Sequence, residues 1–173
     1  MNGVRRKAAR VGTAVAKGLR LLVLDCDGVL TDGALYFGAR GEALKVFHVR
    51  DGHGIKQLQA AGITVAVISG RRSAALARRC RELGISHVQQ GVADKSAALD
   101  HLLSRLRLTD AQVACVGDDT PDVPLLRRAA VAVAVADAHA DARDAAHWCT
   151  TLPGGRGAVR EVCDALLAAR GPS

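Results

Sequence analysis

Aromatic residues are almost absent from this chain: two Phe, one Tyr and one Trp in 173 positions, 2% of the whole. A surface that stacks nucleobases needs such rings, which argues against nucleic-acid binding. Acidic residues are missing from residues 1–20, which hold Arg5, Arg6, Lys7, Arg10, Lys17 and Arg20, while the remainder carries 18 basic against 17 acidic side chains. The formal charge of +7 is thus mostly a property of an N-terminal extension, residues 1–18, and not of a basic binding face. That extension lacks the apolar run of about 7–15 residues that a secretory signal needs, and it reads as a frayed or amphipathic helix. No stretch approaches the ~20 apolar residues of a membrane span, so no membrane partner is expected. Cysteine offers no metal pattern either: Cys26, Cys80, Cys115, Cys149 and Cys163 are odd in number, widely spaced and free of Cys-x-x-Cys spacing. They read as reduced, mostly core thiols of a cytoplasmic protein.

The length suits one well-buried domain, residues 19–173. With 49% apolar residues and hardly any rings, the core has to be built from Ala, Val and Leu. Apolar strand-like runs at 21–24, 63–68, 113–116 and 131–135 alternate with helical patterns and short connections. Continuous apolarity marks strands covered on both faces, so the expected fold is α/β, a doubly wound, mainly parallel sheet. Residues 34–37 and 43–49 flank a Gly-rich turn and read as a small β-hairpin inserted after the first strand. A helix opens at Asp51-Gly52-His53-Gly54, with Ile55, Leu58 and Ala61 on one face. Further helices run over about 73–83, 95–106 and 158–169, and Thr109 to Gln112 has capping-box spacing.

Chemistry concentrates at the ends of the strands. The first run stops in Asp25-Cys26-Asp27-Gly28-Val29-Leu30-Thr31-Asp32, and alternation along a strand puts Asp25 and Asp27 on the same side. Like charges so close raise each other's pKa unless a cation lies between them, which reads as a magnesium site. Taken alone, Asp-x-Asp is equally compatible with a solvated loop. The other strand ends add Ser69, then Lys95 through its loop, then Asp118, Asp119 and Asp122. In open α/β sheets ligands sit beyond the carboxyl ends of the strands, so all of these belong to one edge. Together they offer a phosphate a metal, a hydroxyl and an ammonium, the requirements of phosphoryl transfer.

The combination of Asp25-Cys26-Asp27-Gly28-Val29-Leu30-Thr31-Asp32-Gly33, Ser69-Gly70, Lys95 and Gly117-Asp118-Asp119-Thr120-Pro121-Asp122 resembles the haloacid dehalogenase superfamily. A closer likeness, carried by Phe47-His48-Val49-Arg50-Asp51-Gly52-His53-Gly54-Ile55-Lys56, Ser69-Gly70-Arg71 and Gly154-Gly155-Arg156-Gly157-Ala158-Val159-Arg160-Glu161, is to the 3-deoxy-D-manno-octulosonate 8-phosphate phosphatases. The resemblance implies a capless homotetrameric hydrolase of lipopolysaccharide precursor synthesis. It implies Asp25 as nucleophile and Asp27 as acid and base. Mg²⁺ would be held by Asp25, the Asp27 carbonyl and Asp118, with Asp119 and Asp122 supporting that shell, and Ser69, Gly70 and Lys95 would hold the phosphoryl group. It further implies a small acidic sugar phosphate met by Asp27, His48, Val49, Arg50, Asp51, Gly52, Lys56, Arg71, Arg79 and Lys95.

Two rival functions are a phosphatase for a nonulosonate 9-phosphate, which shares the motifs, and a non-catalytic oligomerising domain. The second has no use for an acid two residues after a nucleophile. Trp148 reads as core. The Gly154-Gly155-Arg156-Gly157 stretch resembles a phosphate cradle in composition but lacks P-loop spacing, and it reads as a mobile tail segment whose Arg156 or Arg160 touches substrate or a neighbour.

Overall fold

Leu21–Leu24 (β1) is the hub of the sheet, and all four of its residues are buried. The structure, a computed structural model, describes residues 11–171. β1 is flanked by Thr64–Ser69 (β4) on one side and Val113–Gly117 (β6) on the other, both parallel to it. His87–Gln90 (β5) extends the β4 side, while Val131–Ala134 (β7) and the two-residue Trp148–Cys149 (β8) extend the β6 side, giving the order β5-β4-β1-β6-β7-β8. Apart sits the antiparallel hairpin Tyr36–Gly38 (β2) and Gly41–Leu44 (β3). This is the expected doubly wound α/β fold with its small insertion. Among the described residues no helix is long and apolar enough to cross a membrane.

The helices are Thr13–Gly18 (α1), Val49–Ala60 (α2), Ala74–Leu83 (α3), Lys95–Leu106 (α4), Val123–Arg128 (α5), Ala140–Ala145 (α6) and Ala158–Arg170 (α7). Local chemistry fixes several ends. Ser73 Oγ accepts from Leu76 N at 3.4 Å to start α3, and Gly84, at φ +70°, ends it. Asp94 Oδ1 accepts from Ala97 N at 3.0 Å and so places Lys95 in the first turn of α4. The core is aliphatic, as the composition demands: Leu19, Leu22, Leu24, Ile55, Leu58, Ile68, Leu99, Leu126 and Leu166 are all essentially inaccessible. Each such side chain contributes about 1.5–3 kcal/mol.

Several expectations change. α2 starts at Val49, with His48 as its cap, so Gly52 and Gly54 lie inside the helix instead of opening it. They are there for packing. A Cβ on Gly54 would stand 2.9 Å from Arg160 Cδ and 3.1 Å from Cys163 Cβ, so the missing side chain lets α7 lie directly on α2. The second hairpin arm ends at Leu44, short of residue 49. Of the five cysteines, all free, Cys149 is exposed because edge strand β8 is uncovered there. Trp148 is only half-buried for the same reason. In the N-terminal extension, α1 packs on α7 and buries Ala16, while residues 1–10 lie outside the described residues.

Replacing Gly54 by Val is expected to lower stability by about 1–3 kcal/mol through overpacking at the α2–α7 contact, read as a fall in denaturation midpoint. A midpoint equal to the wild type's would remove the packing explanation for this glycine.

Candidate active site

The turn of strand order, where the chain leaves β1 for β4 and β5 and later returns on the other side as β6, lies at the carboxyl ends of β1 and β6. The register aligns Leu24 with Val116, so Asp25 emerges beside Gly117, with Asp118 next. Carboxylate oxygens of Asp25, Asp118 and Asp122 lie within 4.8 Å of one another. Gly28, at φ +94°, makes the approach possible, because a Cβ there would overlap the Asp118 carboxylate. Gly117 does the same for Asp122, whose Cγ and Oδ2 lie 2.8 Å from where its Cβ would stand.

Lys95 reaches in from the start of α4. Its buried Nζ donates to Asp25 Oδ1 and to Asp122 Oδ1, each at 2.6 Å. The other oxygen of Asp122 accepts from Asp118 N at 3.0 Å and Asp119 N at 3.4 Å, so Asp122 ties the ammonium to the backbone of the β6 loop. Asp119 Oδ1 accepts from Thr120 N at 2.7 Å and shapes the same loop. Burial, then the charge of Asp122, raises the Asp25 pKa to about 6 against the pull of Lys95. Burial, then Asp25, Asp122 and Asp119, raises Asp118 to about 8. Burial favours neutral Lys95, but the two carboxylates outweigh it and its pKa stands above the ordinary value. Ser69 is buried at the end of β4, its Oγ accepting from Arg71 N at 3.4 Å. These groups surround a pocket of about 250 Å³ whose lining includes Asp25, Asp27, Gly70, Arg71, Lys95 and Asp118.

Asp27 faces a second set of charges, of which motifs in the sequence point to Arg71 but not to Lys45 or Glu42. Lys45, just after β3, donates to Asp27 Oδ1 and lies 3.2 Å from Glu42 Oε2. Arg71 Nη2 donates to that same Glu42 oxygen at 3.2 Å, and its Nε is 3.9 Å from Asp27 Oδ2. Burial lowers and the bonds to Asp27 and Glu42 raise the Lys45 pKa, the bonds prevailing. Burial raises Glu42, but hydrogen bonds from Ser73, Lys45 and Arg71 pull it below its ordinary value. The available signal was alternation: Leu44-Lys45-Val46 sets one lysine between two apolar residues, facing the other way.

The remaining expected contacts lie elsewhere in this chain. His48 caps α2, its Nδ1 accepting from Arg50 N at 3.2 Å, and Val49 and Arg50 are exposed beside it. Asp51 is buried and turned toward α7, where its Oδ1 accepts from Arg160 N at 2.8 Å; it caps that helix and does not line the pocket, because α7 and not solvent covers it. Gly52 is a packing residue beneath the Arg79 guanidinium. Arg79 is 3.5 Å from Glu82, and Lys56 lies beside Gly84 near the start of β4, so neither reaches this pocket.

The Gly154-Gly155 stretch is not a mobile tail. Gly155 N donates to Val29 O at 2.9 Å and Gly154 N to Asp137 Oδ1 at 3.0 Å, and a Cβ on either glycine would strike the backbone of residues 28–32. The turn is locked under the loop that carries Asp27. Asp32 accepts from Ala34 N at 3.0 Å through Oδ1 and pairs with Arg156 at 3.6 Å, which removes it from the carboxylate cluster.

A parallel α/β sheet with an Asp-x-Asp at one strand end, and Ser, Lys and Asp at its neighbours, defines an aspartate-based hydrolase. Residues 84–159 match the family model of haloacid dehalogenase-like hydrolases. The chain is 49% identical over 158 residues to the 3-deoxy-D-manno-octulosonate 8-phosphate phosphatase KdsC of Escherichia coli K12, covering 91% of this chain and 84% of that one. The crystal structure of the phosphatase of that name from Yersinia pestis superposes with a TM-score of 0.88 at 48% identity, covering 91% of this chain and 85% of that one. The Moraxella catarrhalis structure, in complex with magnesium, phosphate and KDO, does so with 0.88 at 40% identity and 91% of both chains. The chain belongs to the 3-deoxy-D-manno-octulosonate 8-phosphate phosphatase family within the haloacid dehalogenase-like hydrolases.

The donor set here fits a hard divalent cation. It is all oxygen, with no His or Cys in the cluster, which suits magnesium over zinc. Asp122 has both oxygens engaged, so Asp25, Asp118 and the main-chain carbonyl of Asp27 are the groups able to hold it; among the described residues no hydrogen-bond donor reaches that carbonyl.

Magnesium is expected to stabilise the wild type by about 2.7 kcal/mol at 100 times its dissociation constant, and Asp118→Asn to lose this gain. Because the metal-free Asp118 pKa is raised to about 8, its carboxyl holds a proton at neutral pH that the cation must displace. Affinity therefore rises with pH up to that value, and calorimetry in buffers of different ionisation enthalpy reads the released proton.

Proposed function

We propose that this chain is a Mg²⁺-dependent phosphatase that hydrolyses 3-deoxy-D-manno-octulosonate 8-phosphate to the free sugar acid and phosphate, in the cytoplasm, for lipopolysaccharide precursor synthesis. The observation that carries the reading is the Asp25–Lys95–Asp122 bridge beside Asp118 and Ser69, at one sheet edge. Asp25 attacks phosphorus as the bond to the sugar oxygen breaks, and that oxygen leaves with the Asp27 proton. Water then attacks the aspartyl phosphate and gives a proton to Asp27; the bond to Asp25 breaks, and phosphate departs with both carboxyls restored to their starting forms. Lys95, Ser69 and the backbone at Gly70 hold the phosphoryl oxygens. Magnesium, held by Asp25, Asp118 and the Asp27 carbonyl, supplies positive charge against the phosphate and the carboxylates. Lys95 and Asp122 keep Asp25 aimed, and Asp119 supports the loop that presents Asp118.

The sugar-acid end of the substrate is met by Arg71, whose side chain is 44% exposed over the pocket. A pocket of about 250 Å³ is small beside the roughly 300–1,000 Å³ usual for ligand sites. A neighbouring copy completes it, bringing His48, Val49 and Arg50 from the head of α2; Lys56 and Arg79 are assigned to substrate by family likeness. Assembly as a homotetramer is supported by the hairpin. Leu35, Tyr36, Phe37, Leu44 and Val46 there, and Val49 at the head of α2, are all at least 40% exposed, in a chain with only four aromatic residues.

Purified protein with magnesium is expected to release phosphate from 3-deoxy-D-manno-octulosonate 8-phosphate at higher kcat/KM than from a nonulosonate 9-phosphate, and the reverse order would transfer the assignment to the second substrate. Asp25→Asn should cost at least about 10³-fold in kcat with the fold retained. Phe37→Asp should shift the sedimenting species to smaller mass and lower turnover; an unchanged tetramer of full activity removes the hairpin from the interface.

A further inference from the structure

The hairpin segment faces two ways. Leu44 and Val46 point outward at 49% and 50% exposure, while the Lys45 side chain between them is 2% exposed and turned to the pocket wall. Lys45 is not placed to touch substrate, since it is covered. Arg71, on the same pair of carboxylates, is open to solvent. Asp27, Lys45, Glu42 and Arg71 form a closed ring of alternating sign in which both cations contact both carboxylates. Each oxygen of Asp27 thereby faces a cation, and the side chain has one orientation instead of the three staggered ones a free aspartate samples.

We propose that Lys45, anchored by Glu42, is a positioning residue for Asp27, and that the hairpin carrying both is therefore part of the catalytic unit as well as an assembly surface. This rests on the assignment of Asp27 as acid and base. A carboxyl that must meet the leaving oxygen and later a water gains most from a fixed direction, since misplacement by about 1 Å costs on the order of 10²-fold. The segment that leaves β3 turns the Lys45 side chain inward while Leu44 and Val46 on either side of it stay exposed, so a neighbour packed on the outer face would hold the inner one in place.

The test compares Lys45→Met and Glu42→Gln in the wild-type and Asp27→Asn backgrounds, using 3-deoxy-D-manno-octulosonate 8-phosphate with magnesium. Lys45→Met is expected to lower kcat about 10–100-fold with KM within about threefold, and Glu42→Gln, which leaves Lys45 on Asp27, to lower it less. In the Asp27→Asn background both changes should cost under about threefold, because what they position has gone. A wild-type kcat in Lys45→Met overturns the proposal, as does an equal loss in both backgrounds. Absence of turnover by the wild type overturns the assigned function instead. Should Lys45→Met fail to fold, the Glu42→Gln pair decides by the same background dependence.

Discussion

Three carboxylates crowd the carboxyl ends of β1 and β6, and one buried ammonium bridges two of them, Asp25 and Asp122. Lys95 is the group without which Asp25 and Asp122 would face each other bare, and burial together with the neighbouring carboxylates already raises the nearby Asp118 to about 8. Removing one partner from such a set leaves a buried charge uncompensated, at a cost of about 3–5 kcal/mol. The rest of the site is arranged around that bridge: Asp94 starts α4 where Lys95 can reach, Gly117 makes room for Asp122, and Gly28 makes room for Asp118.

The same economy of space recurs away from the chemistry. α7 lies on α2 because Gly54 has no side chain, Asp51 supplies the cap that α7 lacks at Gly157, and the turn before α7 presses Gly154 and Gly155 against residues 28–32. A helix far from the carboxylates thus supports the loop that carries Asp27. On the open side the hairpin supplies the second support through Lys45. Asp27 sits between the glycine turn below and a charged ring above, which suits the acid and base role proposed for it.

Much of this was legible in the chain itself. The four central strands announce themselves by runs of Val, Ile, Leu and Ala interrupted only by Thr64 and Cys115. Ser73, Gly84 and Asp94 mark helix ends by chemistry that acts within four residues. Asp25, Asp27, Ser69, Lys95 and Asp118 could be gathered at one edge because a parallel sheet forces its strand ends together. The glycines were harder. Gly52 and Gly54 read as a helix opening, and Gly154 and Gly155 as a mobile tail, since a missing side chain gives no sign of the neighbour that needs its place. Asp51 reads from its segment as a substrate contact, though its partner, Arg160 N, is 109 residues away.

What the sequence determined by itself was the sheet, the local caps and the identity of the residues at the strand ends, because strand period, apolar runs and capping act over short distances. Tertiary structure alone decided which charges meet. Asp25, Asp27, Asp32 and Asp51 are all aspartates in a short stretch, yet the first bridges to Lys95, the second to Lys45, the third to Ala34 and Arg156, and the fourth to the backbone of α7. A carboxylate's role follows from the donor and the cover it meets, and those come from segments brought near by the whole fold. The three carboxylates at the end of β1 are therefore one motif in the chain and three different environments in the molecule.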